Sequence, residues 1–197
     1  LFVRREFQRV NAFACLGLEA RPWLEPGVVR AAQQAVLARA HPDVAGADGG
    51  EGRQANEAAV LLASPGAVLA HYLECHGQAA AASAQPVPRD LADLFMVLAG
   101  PMGRAGEIRQ AAAACETFLE RAELAESALE VMDALRGQLE ALRTRQEEVH
   151  GRIRRAAGGD HPDWEELRRC AVALAFLERW ARDADERAFQ LADLAVG

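Results

Sequence analysis

Ala128-Leu129-Glu130-Val131-Met132-Asp133-Ala134-Leu135-Arg136-Gly137-Gln138-Leu139-Glu140-Ala141-Leu142 sets small or apolar residues at 128, 132, 135, 139 and 142. That three-and-four spacing lines up one face of an α-helix. Working outward, the seam runs from Ala125 to Ala156 through Gln146, Val149 and Ile153. Two more seams flank it. One comprises Leu91, Leu94, Leu98, Pro101, Ala105, Ile108, Ala112, Cys115, Leu119 and Ala122; the other comprises Leu167, Cys170, Leu174, Leu177, Ala181, Ala184, Ala188 and Leu191. Such seams pack helices against one another. Gly100-Pro101 interrupts the first seam without shifting its phase, which predicts one helix bent at Pro101. Glu123 to Ser127 is the expected turn after it, and Gly158-Gly159-Asp160 separates the last two helices. The expectation is an up-down-up bundle of three helices, each of about 30 residues. A coiled-coil dimer is the competing arrangement.

Before the seams lies a stretch of small residues ending in two prolines, Ala79 to Pro88, which reads as a linker. Upstream of it the elements are shorter. Asn11 to Leu18 reads as a brief helix. Pro26 to Ala40 reads as a second, with Val29, Ala32, Val36 and Ala40 on one face. Residues 44–52 carry so much glycine that irregular structure is expected there. Helix resumes from about Arg53 to Ala63, and Ser64-Pro65 opens another that runs to Cys75. The organisation is therefore residues 1–78, a linker at 79–88, and a bundle at 89–197, in an all-α chain.

His41-Pro42-Asp43 follows the second helix. Proline fixes φ and pushes the preceding residue out of helical geometry, so the helix ends at His41. A histidine and an aspartate are thereby presented as a compact polar pair. The string sits in an ordered set: Phe13-Ala14-Cys15-Leu16-Gly17-Leu18, the amphipathic helix, His41-Pro42-Asp43, Asn56-Glu57-Ala58, then Leu62 with Ser64-Pro65. In this order the N-terminal part resembles the J-domain family. Ser64 to Gly77, Asp90 to Met96, and Trp164 to Arg179 resemble segments of HscB-type J-proteins of iron–sulfur cluster assembly. The resemblance implies an antiparallel helical hairpin joined by the His-Pro-Asp loop. It implies a DnaK- or HscA-type ATP-dependent chaperone as partner, its ATP hydrolysis stimulated through His41, Pro42, Asp43, Arg30 and Arg39. It also implies delivery of an iron–sulfur scaffold protein to that chaperone. Val44 stands where lysine is usual, and Leu98-Ala99-Gly100-Pro101-Met102 stands where the family carries an acidic run. A J-protein with another client, or a helical adaptor that no longer stimulates ATPase activity, stays open beside this reading.

Several bulky residues fall off the seams: Phe95, Met96 and Met102 early on the first bundle helix, Phe176 and Trp180 on the third. Leu94, Phe95, Met96 and Phe176 are the candidate client-binding residues, since an apolar patch marks a partner site. The alternative is that they widen the core. The second string, His161-Pro162-Asp163, reads as a helix start, with Asp160 or His161 as cap and Pro162 in the first turn.

The rest of the composition narrows the classes. Alanine dominates the apolar fraction, and every basic residue is arginine. The net charge of −7 argues against nucleic-acid binding. No apolar run approaches the roughly 20 residues of a membrane helix, and Leu1 to Val10 lacks the apolar core of a secretory signal. Cys15, Cys75, Cys115 and Cys170 are far apart, without zinc-site spacing. The five histidines do not cluster with carboxylates, and no phosphate loop or nucleophile motif occurs. These features lead us to expect a cytoplasmic protein that is not an enzyme and needs no metal or cofactor.

Overall fold

A computed structural model describes residues 11–40, 49–79, 86–159 and 161–196, with side chains to residue 194. The chain is all-α. The described residues form seven helices: α1 (Ala12–Cys15), α2 (Val28–Arg39), α3 (Gly49–Leu61), α4 (Pro65–Cys75), α5 (Ala92–Ala113), α6 (Phe118–Ala157) and α7 (Trp164–Val196). A 3₁₀ turn at Arg89–Leu91 precedes α5. Two compact units result, residues 1–82 with 153–171, and residues 83–152 with 172–197.

In the first unit the short elements are held by their ends. The Asn11 side chain accepts from the Ala14 N–H at 3.2 Å and opens α1. Gly17 closes it at φ +66°, with the Leu18 N–H reaching back to the Phe13 carbonyl at 2.8 Å. Gly77 ends α4 in the same way at φ +67°, with the Gln78 N–H donating to the Leu73 carbonyl at 2.8 Å. Both are left-handed caps, which favour glycine because it has no Cβ. Ser64 caps α4, its Oγ accepting from the Ala67 N–H at 3.2 Å. Ser64→Ala is expected to cost about 1 kcal/mol, measurable as a drop in urea midpoint at unchanged slope.

Helices α2 and α3 pack on each other, and α1 packs on α3. Gln33 donates to Asn56 at 2.9 Å, and a Cβ on Gly52 would lie 3.5 Å from Leu37 and 3.9 Å from Ala40. Contacts pairing 33 with 56 and 37 with 52 run the two helices antiparallel. Helix α3 begins at Gly49, inside the stretch expected to be irregular. Packing against α2 overrides the poor helix propensity of Gly49, Gly50 and Gly52. Gly52→Ala places its methyl in ordinary contact distance, and is expected to stabilise the protein by about 0.5–1 kcal/mol. A destabilised variant in thermal melts would show that α3 does not start this early.

Helix α4 turns 108° from α3 and buries Val68, Leu69, Tyr72 and Leu73. His71 Nε2 accepts from the Ala12 N–H at 3.0 Å, with the ring 5.4 Å from Phe13. That bond places the ring proton on Nδ1. Trp164 stacks on Tyr72 at 6.0 Å, and Arg154 lies 5.4 Å over Trp23. No single described helix is long and apolar enough to cross a membrane.

In the second unit the seams supply the core, except that Leu119, 69 % exposed, and Ala122 lie at the surface. Leu98, Ala105 and Ile108 on α5, Leu135 and Leu142 on α6, and Leu174 and Leu177 on α7 are buried. Helix α5 runs unbroken through Pro101, as its phase predicts. Arg145 and Arg152 reach Asp90 at 2.9 and 3.4 Å, and Arg104 reaches Glu130 at 3.6 Å. These pairs set α6 antiparallel to α5. Phe95 meets Trp180, Met102 meets Arg187, and Arg109 meets Gln190. A near-constant offset between partners sets α7 parallel to α5.

Two boundaries of the bundle helices also differ from expectation. The turn placed at Glu123–Ser127 lies at residues 114–117, so α5, α6 and α7 have 22, 40 and 33 residues and are not equal. A reciprocal cap starts α6: the Thr117 N–H donates to Glu120 at 3.1 Å, and the Glu120 N–H donates to Thr117 Oγ1 at 3.3 Å. The Thr117 hydroxyl bond, foremost, holds the Glu120 carboxyl below its ordinary range. At α7 the cap is Asp163, whose Oδ1 accepts from the Glu166 N–H at 3.0 Å. Pro162 lies outside the helix, and Asp160 falls outside the described residues.

Candidate functional site

His41, Pro42 and Asp43 lie outside the described residues. They fall in the connection between Arg39, where α2 ends, and Gly49, where α3 begins. Arg30 and Arg39 are both exposed on α2. Nine residues apart at 100° per residue, they point to opposite sides of the helix. They therefore do not form one basic face. Arg30 instead borders an open cavity of about 610 Å³ beside Trp23, Pro26, Val29, Leu62 and Val68.

The second unit holds the more developed site. Trp180 is 4 % exposed, and its ring centroid lies 5.4 Å from Phe95 and 5.6 Å from Phe176. Phe95 remains 41 % exposed, so the cluster opens to solvent along α5. Beside it lies an open groove of about 500 Å³, bordered by Phe95, Leu98, Met102, Arg179, Trp180 and Arg187. Arg179 sits 5.0 Å over the Phe176 ring, and Arg187 Nη1 lies 3.4 Å from Met102 Sδ.

Of the four candidate client residues, Phe95 and Phe176 are brought together, through Trp180. Leu94 is half-buried, and Met96 is 69 % exposed. Three consecutive residues of a helix fan over about 200°, so Leu94, Phe95 and Met96 cannot all face one groove. Trp180, grouped with the off-seam residues, is core. It stands three residues from Leu177 and four from Ala184, and this buried stripe is wider than a strict seam. The spacing was in the sequence; only the choice of seam hid it.

The remaining reactive groups are quiet. Burial, and then the neighbouring Glu74 carboxylate, push the Cys75 thiol up, which keeps it protonated and a weak nucleophile. Burial likewise raises Tyr72. Among the described residues no group of three or more His, Cys, Asp or Glu is placed to hold a metal ion. A comparison of the chain with protein-family models finds no match, nor do comparisons with curated proteins and with solved structures.

Proposed function

We propose that this protein is a J-domain co-chaperone, acting in the cytoplasm on a DnaK- or HscA-type chaperone, with its second unit receiving the client. The observation that carries the reading is His41-Pro42-Asp43 in the connection between two antiparallel helices that pack on each other. Support comes also from the caps on either side. Gly17 and Gly77 end α1 and α4 inside the two segments that carry the sequence resemblance. The client of the first choice is an iron–sulfur scaffold protein, docking on the cluster around Phe95 and Phe176. Arginines at the groove, with Leu98-Ala99-Gly100-Pro101-Met102 where an acidic run is usual, favour a second reading in which a J-protein serves another client.

The test is the steady-state ATPase rate of a DnaK-type chaperone titrated with the full chain. A saturable rise of severalfold or more is expected. A flat titration against both general and cluster-specialised chaperones defeats the reading and leaves a helical adaptor. Stimulation without scaffold binding selects the second client reading.

A further inference from the structure

The groove beside Trp180 has an unusual charge arrangement for a chain of net charge −7. Arg179 and Arg187 stand eight residues apart on α7, about 12 Å along the axis and less than a quarter turn around it. Both therefore face the same groove. Neither guanidinium pairs with a carboxylate among the described residues. One rests on the Phe176 ring and the other on the Met102 sulfur. Asp183, the one acidic residue bordering the groove, lies four residues from each and forms an ion pair with neither. The floor between them is apolar, built from Trp180, Leu98 and Phe95.

A guanidinium on a ring face keeps its N–H edges available, as for Arg179, while Arg187 gives one Nη1–H to the weak sulfur acceptor of Met102 and keeps its other donors. Such edges match a carboxylate in two parallel bonds. Apolar floor plus cationic border calls for a ligand with the opposite border. We infer that this groove binds an acidic, leucine- or phenylalanine-bearing segment of a partner protein, the apolar side chain against the exposed ring of Phe95 beside Trp180 and the carboxylates on Arg179 and Arg187. The inference rests on the reading that the second unit receives a partner, and not on chaperone stimulation. Charge sets which partner is accepted, since complementary borders steer encounter and reject like-charged surfaces.

The test uses the full chain and three short fluorescein-labelled peptides that share their leucines. Their flanking positions are all glutamate, all glutamine or all lysine. Fluorescence anisotropy should show the glutamate peptide binding at least about tenfold tighter than the glutamine one, with no lysine-peptide binding. The preference should fade as salt rises from low to physiological strength. The double variant Arg179→Gln, Arg187→Gln should bind the glutamate and glutamine peptides alike, and Phe95→Ala should weaken both. The charge series is read on the unaltered protein, so it stands whatever the variants do. Equal binding of all three peptides, or of none, overturns the inference. So does a glutamate preference that survives in the double variant, which moves the site elsewhere. Capture by phosphatidylserine vesicles that depends on the two arginines, with no peptide binding, replaces the protein partner with an anionic membrane. No chaperone is present in this assay, so failure of ATPase stimulation and failure of the groove are read separately.

Discussion

His41→Gln and Asp43→Asn are each expected to return the ATPase rate of a DnaK-type chaperone to its unstimulated value, while the protein stays as stable as before. The expectation comes from the sequence, where proline disfavours helix at the residue before it and His41-Pro42-Asp43 falls between the end of α2 and the start of α3. A rate effect of this kind is electrostatic and geometric. On the proposed reading, removing the imidazole or the carboxylate removes a partner contact and leaves the buried residues Val36, Ala55 and Ala58 of α2 and α3 unaltered. Unfolding free energy should then move by no more than about 0.5 kcal/mol. His161→Gln is the internal control. Its string, His161-Pro162-Asp163, is a helix start in which Asp163 caps α7, so stimulation should persist. Full stimulation by both the His41 and Asp43 variants would remove the J-domain reading, whatever the client.

Trp180→Ala is expected to have the largest effect on stability, about 3–5 kcal/mol. Its indole is 4 % exposed and is the surface on which Phe95 of α5 and Phe176 of α7 meet. Truncation leaves a cavity between two parallel helices whose backbones are held apart by their other core residues, so the space cannot close fully. That loss is a large part of the 5–15 kcal/mol typical of a whole domain. Met96→Ala, one residue beyond Phe95 but 69 % exposed, should stay within about 0.5 kcal/mol. Urea unfolding of the three proteins measures both. A cost below about 1 kcal/mol for Trp180→Ala would mean that the indole is a surface group and that the groove has no fixed floor.

What the sequence determined by itself is whatever depends on neighbours along the chain. Seam spacing marked the buried faces of α5, α6 and α7, because a helix repeats its face every three or four residues wherever it packs. Ser64-Pro65 announced the start of α4, and the Asn11 cap and the Gly17 and Gly77 ends are equally local, although the helix expected over Asn11 to Leu18 runs past Gly17. The break at residues 114–117 was legible too, in Thr117-Phe118-Leu119-Glu120, but the unbroken spacing of Cys115, Leu119 and Ala122 masked it. Periodicity reports a face and is blind to whether one helix or two carry it.

Only the tertiary structure decided matters that depend on residues distant in sequence. Helix at Gly49 to Gly52 follows from packing on Leu37 and Ala40, against local propensity. The burial of Trp180 follows from the parallel run of α5 and α7, which brings Phe95 to it across 85 positions. The same pairing decides that, of the adjacent Leu94, Phe95 and Met96, it is Phe95 that meets Trp180. It also leaves Arg179 and Arg187 on aromatic and sulfur surface rather than on a carboxylate. A charged residue's type is written in the chain. Its partner is chosen by which helices meet, since ion pairs and ring contacts fall away within a few ångströms.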